Sequence, residues 1–434
     1  MLINFYFKTI IILIMKLLIL LLIFKNSFEN ILKFSFKTEN NINPNYYSIP
    51  IENREIIYLK IGTPEKKTPL IINFCQYLSF ITGSKIINST YNELSSSTYK
   101  NKSNSLKELN YEFKIRGYES EEKFYFPTYK SKEISVNNFL FYLVTESSLS
   151  DKNYGFLGLR IKPYVQIKED NSFINLLKRH NVTNNYIWTI KYENENNGNL
   201  IIGDYPHNYD KLNYNEQQLK NTKTEIITNA NMWEIKFDKI YFNNSEFKVK
   251  ANAIFKIEIG VILGPNELKK IFYETYVKNK TCEEYLVDME SEDNTYGFKC
   301  YVNKFQKNYF QSLIFLHKEL YYNFTLTGND LFIENNGFYY FLIIFETTHS
   351  YSWIFGKPFL KKYQFVFDPD NKKIEFYNPN VIIKKNSNYI KILIVFFLIT
   401  IIFLIFFLSW LYKKRRKRRI NEIDEIFDYT PASI

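Results

Sequence analysis

The sequence predicts an all-β body in two lobes, followed by one C-terminal transmembrane helix, and three observations carry that expectation. Between residues 49 and 380, short apolar runs at 56–61, 70–74, 139–145, 200–202 and 338–345 alternate with polar turns, which is the length and spacing of strands. The chain has 434 residues, 46% hydrophobic and 18% aromatic, more core than one small domain needs. Residues 392–412 form an uncharged run of 21, enough at ~1.5 Å per residue to cross a hydrocarbon core of ~30 Å.

Taken in order, residues 1–24 read as a signal peptide or signal anchor. Their apolar run is broken by Lys8 and Lys16, and no small-residue cleavage site follows. Residues 25–48 are polar and aperiodic and read as a leader. The first lobe is expected over 49–204 and the second over 205–380, with the polar stretch 204–229 connecting them. Helices are expected only at 172–179 and at 265–277, where Gly264-Pro265 marks a start. A stalk over 381–389, a transmembrane helix over 390–412 and a basic tail over 413–434 complete the chain. Trp410 and Tyr412 suit a membrane interface, and the seven basic residues from Lys413 to Arg419 form a cytosolic stop. The expected topology is single-pass type I, with the body lumenal or extracellular, in the secretory pathway, a vesicle or the cell surface.

The same basic run explains most of the charge. It supplies seven of the net +11, so the rest is thin and no nucleic-acid partner is expected. Of three cysteines, Cys282 and Cys300 enclose a short polar segment on the non-cytosolic side and are expected to be bridged. Cys75 is left as a small buried hydrophobe. Sequons at Asn88, Asn101, Asn181, Asn243, Asn279 and Asn323 all fall on the lumenal side. His180, His207, His317 and His349 lack metal-ligand spacing, and neither a metal nor any other cofactor is expected.

Six collinear segments resemble the pepsin family of aspartic peptidases, of the plasmepsin and cathepsin D type. Residues 58–64 (YLKIGTP), 96–99 (SSTY), 153–159 (NYGFLGL) and 198–203 (GNLIIG) resemble first-lobe landmarks, and 232–240 (MWEIKFDKI) a second-lobe strand. The most specific is 353–368 (WIFGKPFLKKYQFVFD), similar to W-I-L-G-D-x-F-L-R-x-Y-x-x-x-F-D. The resemblance implies a two-lobed fold with a central cleft, and a D-T-G loop from each lobe supplying one catalytic aspartate. Phe156-Leu157-Gly158 and Ile354-Phe355-Gly356 form a weak internal repeat consistent with two related lobes.

The resemblance fails where the chemistry belongs. Counted without a gap, the first loop falls on Asn73-Phe74-Cys75, and the second on Lys256-Ile257-Glu258. Sliding the first loop to 81–84 (ITGS) keeps Thr-Gly-Ser but still offers Ile81 in place of Asp and crowds residues 96–99. The family's mechanism needs two carboxyl groups sharing a proton, one as base and one as acid. An amide and an ammonium replace them here, so no catalytic residue is assigned, and Asn73 and Lys256 merely occupy the dyad positions. Residues 255–259 read as an alternating strand that places Lys256 and Glu258 on one face. In the flap, Arg116 falls where the family has a tyrosine, and Tyr118 is the substitute candidate. The expected function is a catalytically inactive, membrane-anchored relative that binds a peptide or protein in the cleft. The alternatives are an active aspartic endopeptidase with an unrecognised carboxylate, and a structural membrane protein.

Overall fold

The computed structural model describes Lys16 and residues 31–41, 52–110, 115–147, 154–161, 171–183, 185–224, 232–242, 245–246, 252–287, 295–346, 353–381 and 388–427. The chain divides into two units, residues 1–381 and 382–434.

The first unit is built on a sheet of 14 strands that runs through both halves of the sequence. One end belongs to the first half. There the long strands Ile115–Pro127 and Glu133–Glu146 form a hairpin whose alternating residues Phe124, Phe126, Phe139 and Phe141 face a common core. The other end carries Phe365–Asp368 and Lys373–Tyr377 from the second half, with Phe365–Asp368 hydrogen-bonded to Trp188–Tyr192. The rest of the second half forms a nine-stranded and a four-stranded sheet. A single aromatic-rich cluster, including Trp188, Trp233, Trp353 and Phe367, runs through both halves.

Two expectations need correction here. Within the expected leader, Leu32–Asn41 is a strand paired on both sides, with Asn197–Ile202 and with Glu52–Ile61. Leu32, Phe34 and Phe36 point into the core while Lys33, Ser35 and Lys37 alternate with them, a period-2 signal short enough to be hidden by its Asn-rich flank. The expected connection at 204–229 is likewise structured in part: Pro206–Tyr209 is a helical turn, and Leu219–Lys223 pairs with Lys373–Tyr377.

The expected helices are present as Phe173–Arg179 and Asn266–Phe272, the second continuing as a π-helical turn, Tyr273–Val277. Cys282 and Cys300 lie opposite each other on paired strands and are bonded. Their separation of 18 residues gives a loop-closure stabilisation of about 3 kcal/mol. Reduction should therefore lower the denaturant midpoint of the oxidised protein by that equivalent, and an unchanged midpoint would refute the contribution.

The second unit contains one helix, Asn388–Phe427, of 40 residues. It starts inside the expected stalk and continues through the basic run. Phe396, Phe397, Phe403, Phe406 and Phe407 on it are each more than half exposed. Among the described residues no helix is long and apolar enough to cross a membrane. The side chains of 388–395, 398 and 401, within or beside the expected span, lie outside that description.

Candidate functional site

The weak internal repeat lies beside the two expected dyad loops. Lys66–Asn73 pairs in parallel with Gly155–Gly158, setting Asn73 opposite Gly158. Asn252–Phe255 pairs in parallel with Trp353–Phe355, setting Phe255 opposite Phe355. Each strand then leaves its partner through a turn whose backbone crosses the glycine ending the repeat. A Cβ on Gly158 would stand 2.5 Å from the Gln76 carbonyl oxygen, and one on Gly356 would stand 2.2 Å from those of both Ile259 and Val261. Backbone is the obstacle at both positions, so neither clash is relieved by a rotamer change. Gly356→Ala should therefore cost at least the ~1–3 kcal/mol of an overpacked core, read as a lower denaturation midpoint. A neutral substitution would mean that the two crossing segments are not packed this closely.

The first turn is held by Asn73. Its Oδ1 accepts hydrogen bonds from the backbone N–H of Cys75 at 2.8 Å and of Gln76 at 2.7 Å. Leu159 N–H donates to the Asn73 carbonyl at 2.9 Å, and Arg160 N–H to that of Gln76 at 3.1 Å. Phe80–Thr82, the location of the alternative register, is a separate strand pairing with 142–144.

The second turn differs from its expected form. The strand ends at Phe255, and Lys256, Ile257 and Glu258 form the turn itself. The pattern Phe-Lys-Ile-Glu-Ile alternates like a strand, but Lys256 N–H donates to Phe355 and Ile259 N–H back to Lys256, which bends the chain. From beneath, Asn53 clasps the turn. Its N–H donates to the Glu258 carbonyl at 2.9 Å and its Nδ2 to that of Ile257 at 3.0 Å. Asn53 Nδ2 also reaches Glu55 Oε1, which accepts from the Tyr192 hydroxyl as well. Lys357 Nζ donates to Asn53 Oδ1 at 3.4 Å. Burial holds the Lys357 ammonium below the usual lysine range, and the nearby Glu55 carboxylate opposes that shift.

Phe74 and Ile257, at the expected threonine positions, are both fully buried, and both belong to the continuous aromatic cluster. The Phe74 ring lies 4.9 Å from Trp188 and 5.5 Å from Phe367. A second link between the halves is the indole N–H of Trp233, which donates to the Leu159 carbonyl at 2.8 Å. Above this floor, Cys75, Lys256 and Glu258 are half-buried. Burial, and then the Glu258 carboxylate, push the Cys75 thiol well above the ordinary range, while Lys256 pulls the other way. The Cys75 thiol is therefore protonated and unreactive at neutral pH. Glu258 Oε2 is enclosed and has no hydrogen-bond partner among the described residues.

The flap candidates lie close to the end of a hairpin strand. Arg116 and Tyr118 are within the strand Ile115–Pro127, with Arg116 paired to Glu108 and Tyr118 opposite Leu143. Lys107–Asn110 and Ile115–Pro127 form a hairpin whose connection, 111–114, lies outside the described residues. The SSTY landmark acts as a clasp: Ser96 Oγ accepts from Thr63 N–H, and Ser97 N–H donates to the Thr63 carbonyl. Asp204 and Asp368 hold local turns, at Tyr205 and Asn371 respectively. His180, His207 and His317 are held below the usual histidine range by burial, and none of them hydrogen-bonds to either turn. His349 lies outside the described residues. No cluster of three or more metal-ligating side chains occurs among the described residues. Asn88, Asn101, Asn181, Asn279 and Asn323 are exposed, and Asn243 lies outside the described residues.

The family model described as eukaryotic aspartyl protease matches residues 56–378. Among solved structures, the crystal structure of basic 7S globulin from soybean is similar over 81% of this chain and 98% of that one, with a TM-score of 0.56 and 14% identity. At that identity the likeness concerns the fold. No curated protein matches by sequence.

Proposed function

This chain belongs to the eukaryotic aspartyl protease family, and from that membership we propose that it is a membrane-anchored relative that binds a peptide or protein without cutting it by the two-acid mechanism. What supports this reading is that Asn73 and Lys256 fall at the expected dyad positions in the sequence. The Asn73 carboxamide does not act as a proton acid or base at useful pH, and its oxygen is engaged by two amides of its own turn. Lys256 offers a cation where the mechanism needs a second carboxylate. Glu258 contributes one carboxyl group to the centre, and a lone one does not provide the paired base and acid.

Half-buried Cys75, Lys256 and Glu258 lie above the apolar floor and remain partly open to solvent, which suits binding there. The retained turns, with their glycine crossings and the Asn53 clasp, keep the two halves in register without serving catalysis. The experiment is to incubate the purified full chain with a diverse peptide library at acidic pH and to identify retained peptides by mass spectrometry. A reproducible retained subset that Lys256→Ala alters supports the reading. No retention, or retention indifferent to every substitution on the floor, points to a body with no binding role.

Membrane anchoring is part of the proposal and rests on the uncharged run 392–412, the basic run after it and the exposed sequons. Glycosidase treatment of the expressed chain should increase its gel mobility, and protease added to intact vesicles should remove only the tail. An unglycosylated chain that is fully digested would reverse the assigned topology.

A further inference from the structure

The outer face of the sheet joining the two halves carries a polar cavity unrelated to the dyad turns. Phe34, Leu200 and Ile190 face the aromatic core, so their neighbours Lys33, Asn199 and Lys191 emerge on the opposite face. The register confirms the grouping, with Lys33 opposite Ile201 and Lys191 opposite Asn199. Tyr209, Asp210 and Tyr214 from the following segment cover this face, and Tyr129 completes the wall. The cavity is partly open to solvent and has a volume of about 70 Å³.

The lining is neutral overall but leaves both kinds of partner wanting. The Tyr209 hydroxyl is buried without a hydrogen-bond partner among the described residues. Lys33 Nζ has the Tyr129 ring at 5.8 Å and no carboxylate partner among the described residues. On the acidic side, Asp210 lies 3.6 Å from Lys191 and accepts from Asn213 Nδ2 at 3.0 Å on both oxygens, and Glu193 accepts one bond from Asn199 at 2.6 Å. A carboxylate has about four acceptor sites, so both acids keep capacity for a further donor. Two lysines against two acids disfavour a simple anion or cation. The Tyr129 and Tyr209 rings, 5.0 Å apart, add apolar surface for a short carbon backbone.

We propose that this cavity binds a small zwitterion of the size of a short α-amino acid, with its carboxylate toward Lys33 and Tyr209 and its ammonium toward Asp210 and Glu193. The site is separate from the dyad turns and stands or falls independently of peptide binding there. The test uses the full chain in detergent, with glycine, alanine and serine as probes and acetate, ethylammonium and glycerol as controls. Binding is followed by saturation-transfer NMR and by the shift in thermal midpoint. At least one amino acid should bind saturably while each control at equal concentration does not. Lys33→Met and Tyr209→Phe should each weaken that binding by roughly tenfold or more, the size of one hydrogen bond to a charged group. Wild-type protein that binds no amino acid overturns the proposal and leaves a water-filled cavity. Equal binding of acetate or glycerol also overturns it, because the paired-charge recognition would then be absent.

Discussion

Replacing Phe74 with alanine should lower the unfolding free energy by about 3–5 kcal/mol, the usual cost of removing a fully buried aromatic ring. Phe74 sits in the turn that follows Asn73, yet its ring packs on Trp188 and Phe367, and Phe367 comes from the second half of the chain. The substitution therefore opens a cavity in the cluster that unites both halves. Deletion of a hydroxyl brace would cost only one net hydrogen bond, about 1 kcal/mol. The size of the effect thus distinguishes an apolar brace from a polar one. Equilibrium denaturation gives the number, and a loss near 1 kcal/mol would contradict the apolar brace. Phe74→Thr, which restores the family's residue type, should also be strongly destabilising, because the threonine hydroxyl would meet an aromatic environment.

The second large effect concerns pH. Glu375 is 3% exposed, and one of its carboxyl oxygens has no partner among the described residues. Burial pushes its pKa from 4.5 up to about 7, with Asp368 adding repulsion, while the Tyr205 hydroxyl and Lys373 oppose the shift. The folded protein therefore binds a proton that the unfolded chain releases at lower pH. This contribution to stability is full below about pH 4.5 and is lost as pH rises through about 7. The difference corresponds to about 3 kcal/mol. Glu375→Gln mimics the protonated form. It should raise the unfolding free energy by up to that amount above pH 7 and change it little below pH 4.5. Comparing variant with wild type at both pH values cancels the other titrating groups, and an equal change at both would remove Glu375 as the cause.

Much of this architecture was legible in the chain itself. The strand runs, the two helices and the bridged cysteine pair each rest on local pattern or spacing, and the structure has all three. The two apolar-apolar-Gly steps are slight as sequence, but a Cβ on either glycine would stand within 3 Å of another backbone segment, and few other residues would fit. Misreadings arose where a local period competed with a non-local demand. Residues 255–259 alternate as a strand does, yet Lys256 N–H is claimed by Phe355, and the chain turns there. The strand Leu32–Asn41 has little composition to recommend it and is fixed by pairing with Asn197–Ile202, far along the chain. Arg116 and Tyr118 lie in the strand Ile115–Pro127, with Arg116 opposite Glu108, while the connection 111–114 lies outside the described residues. The influence of Glu258 on the Cys75 thiol had no sequence signal, because the two residues meet only when the lobes assemble.

The central claim is that the dyad turns persist while the two-acid chemistry has gone, and its most direct test is peptide hydrolysis at acidic pH by the purified full chain. The measurement compares wild type with Glu258→Gln, with and without a pepstatin-type inhibitor. The account predicts no cleavage above the uncatalysed rate for either protein. Cleavage by the wild type that Glu258→Gln or the inhibitor abolishes would contradict it, and would make Glu258 part of a working acid pair.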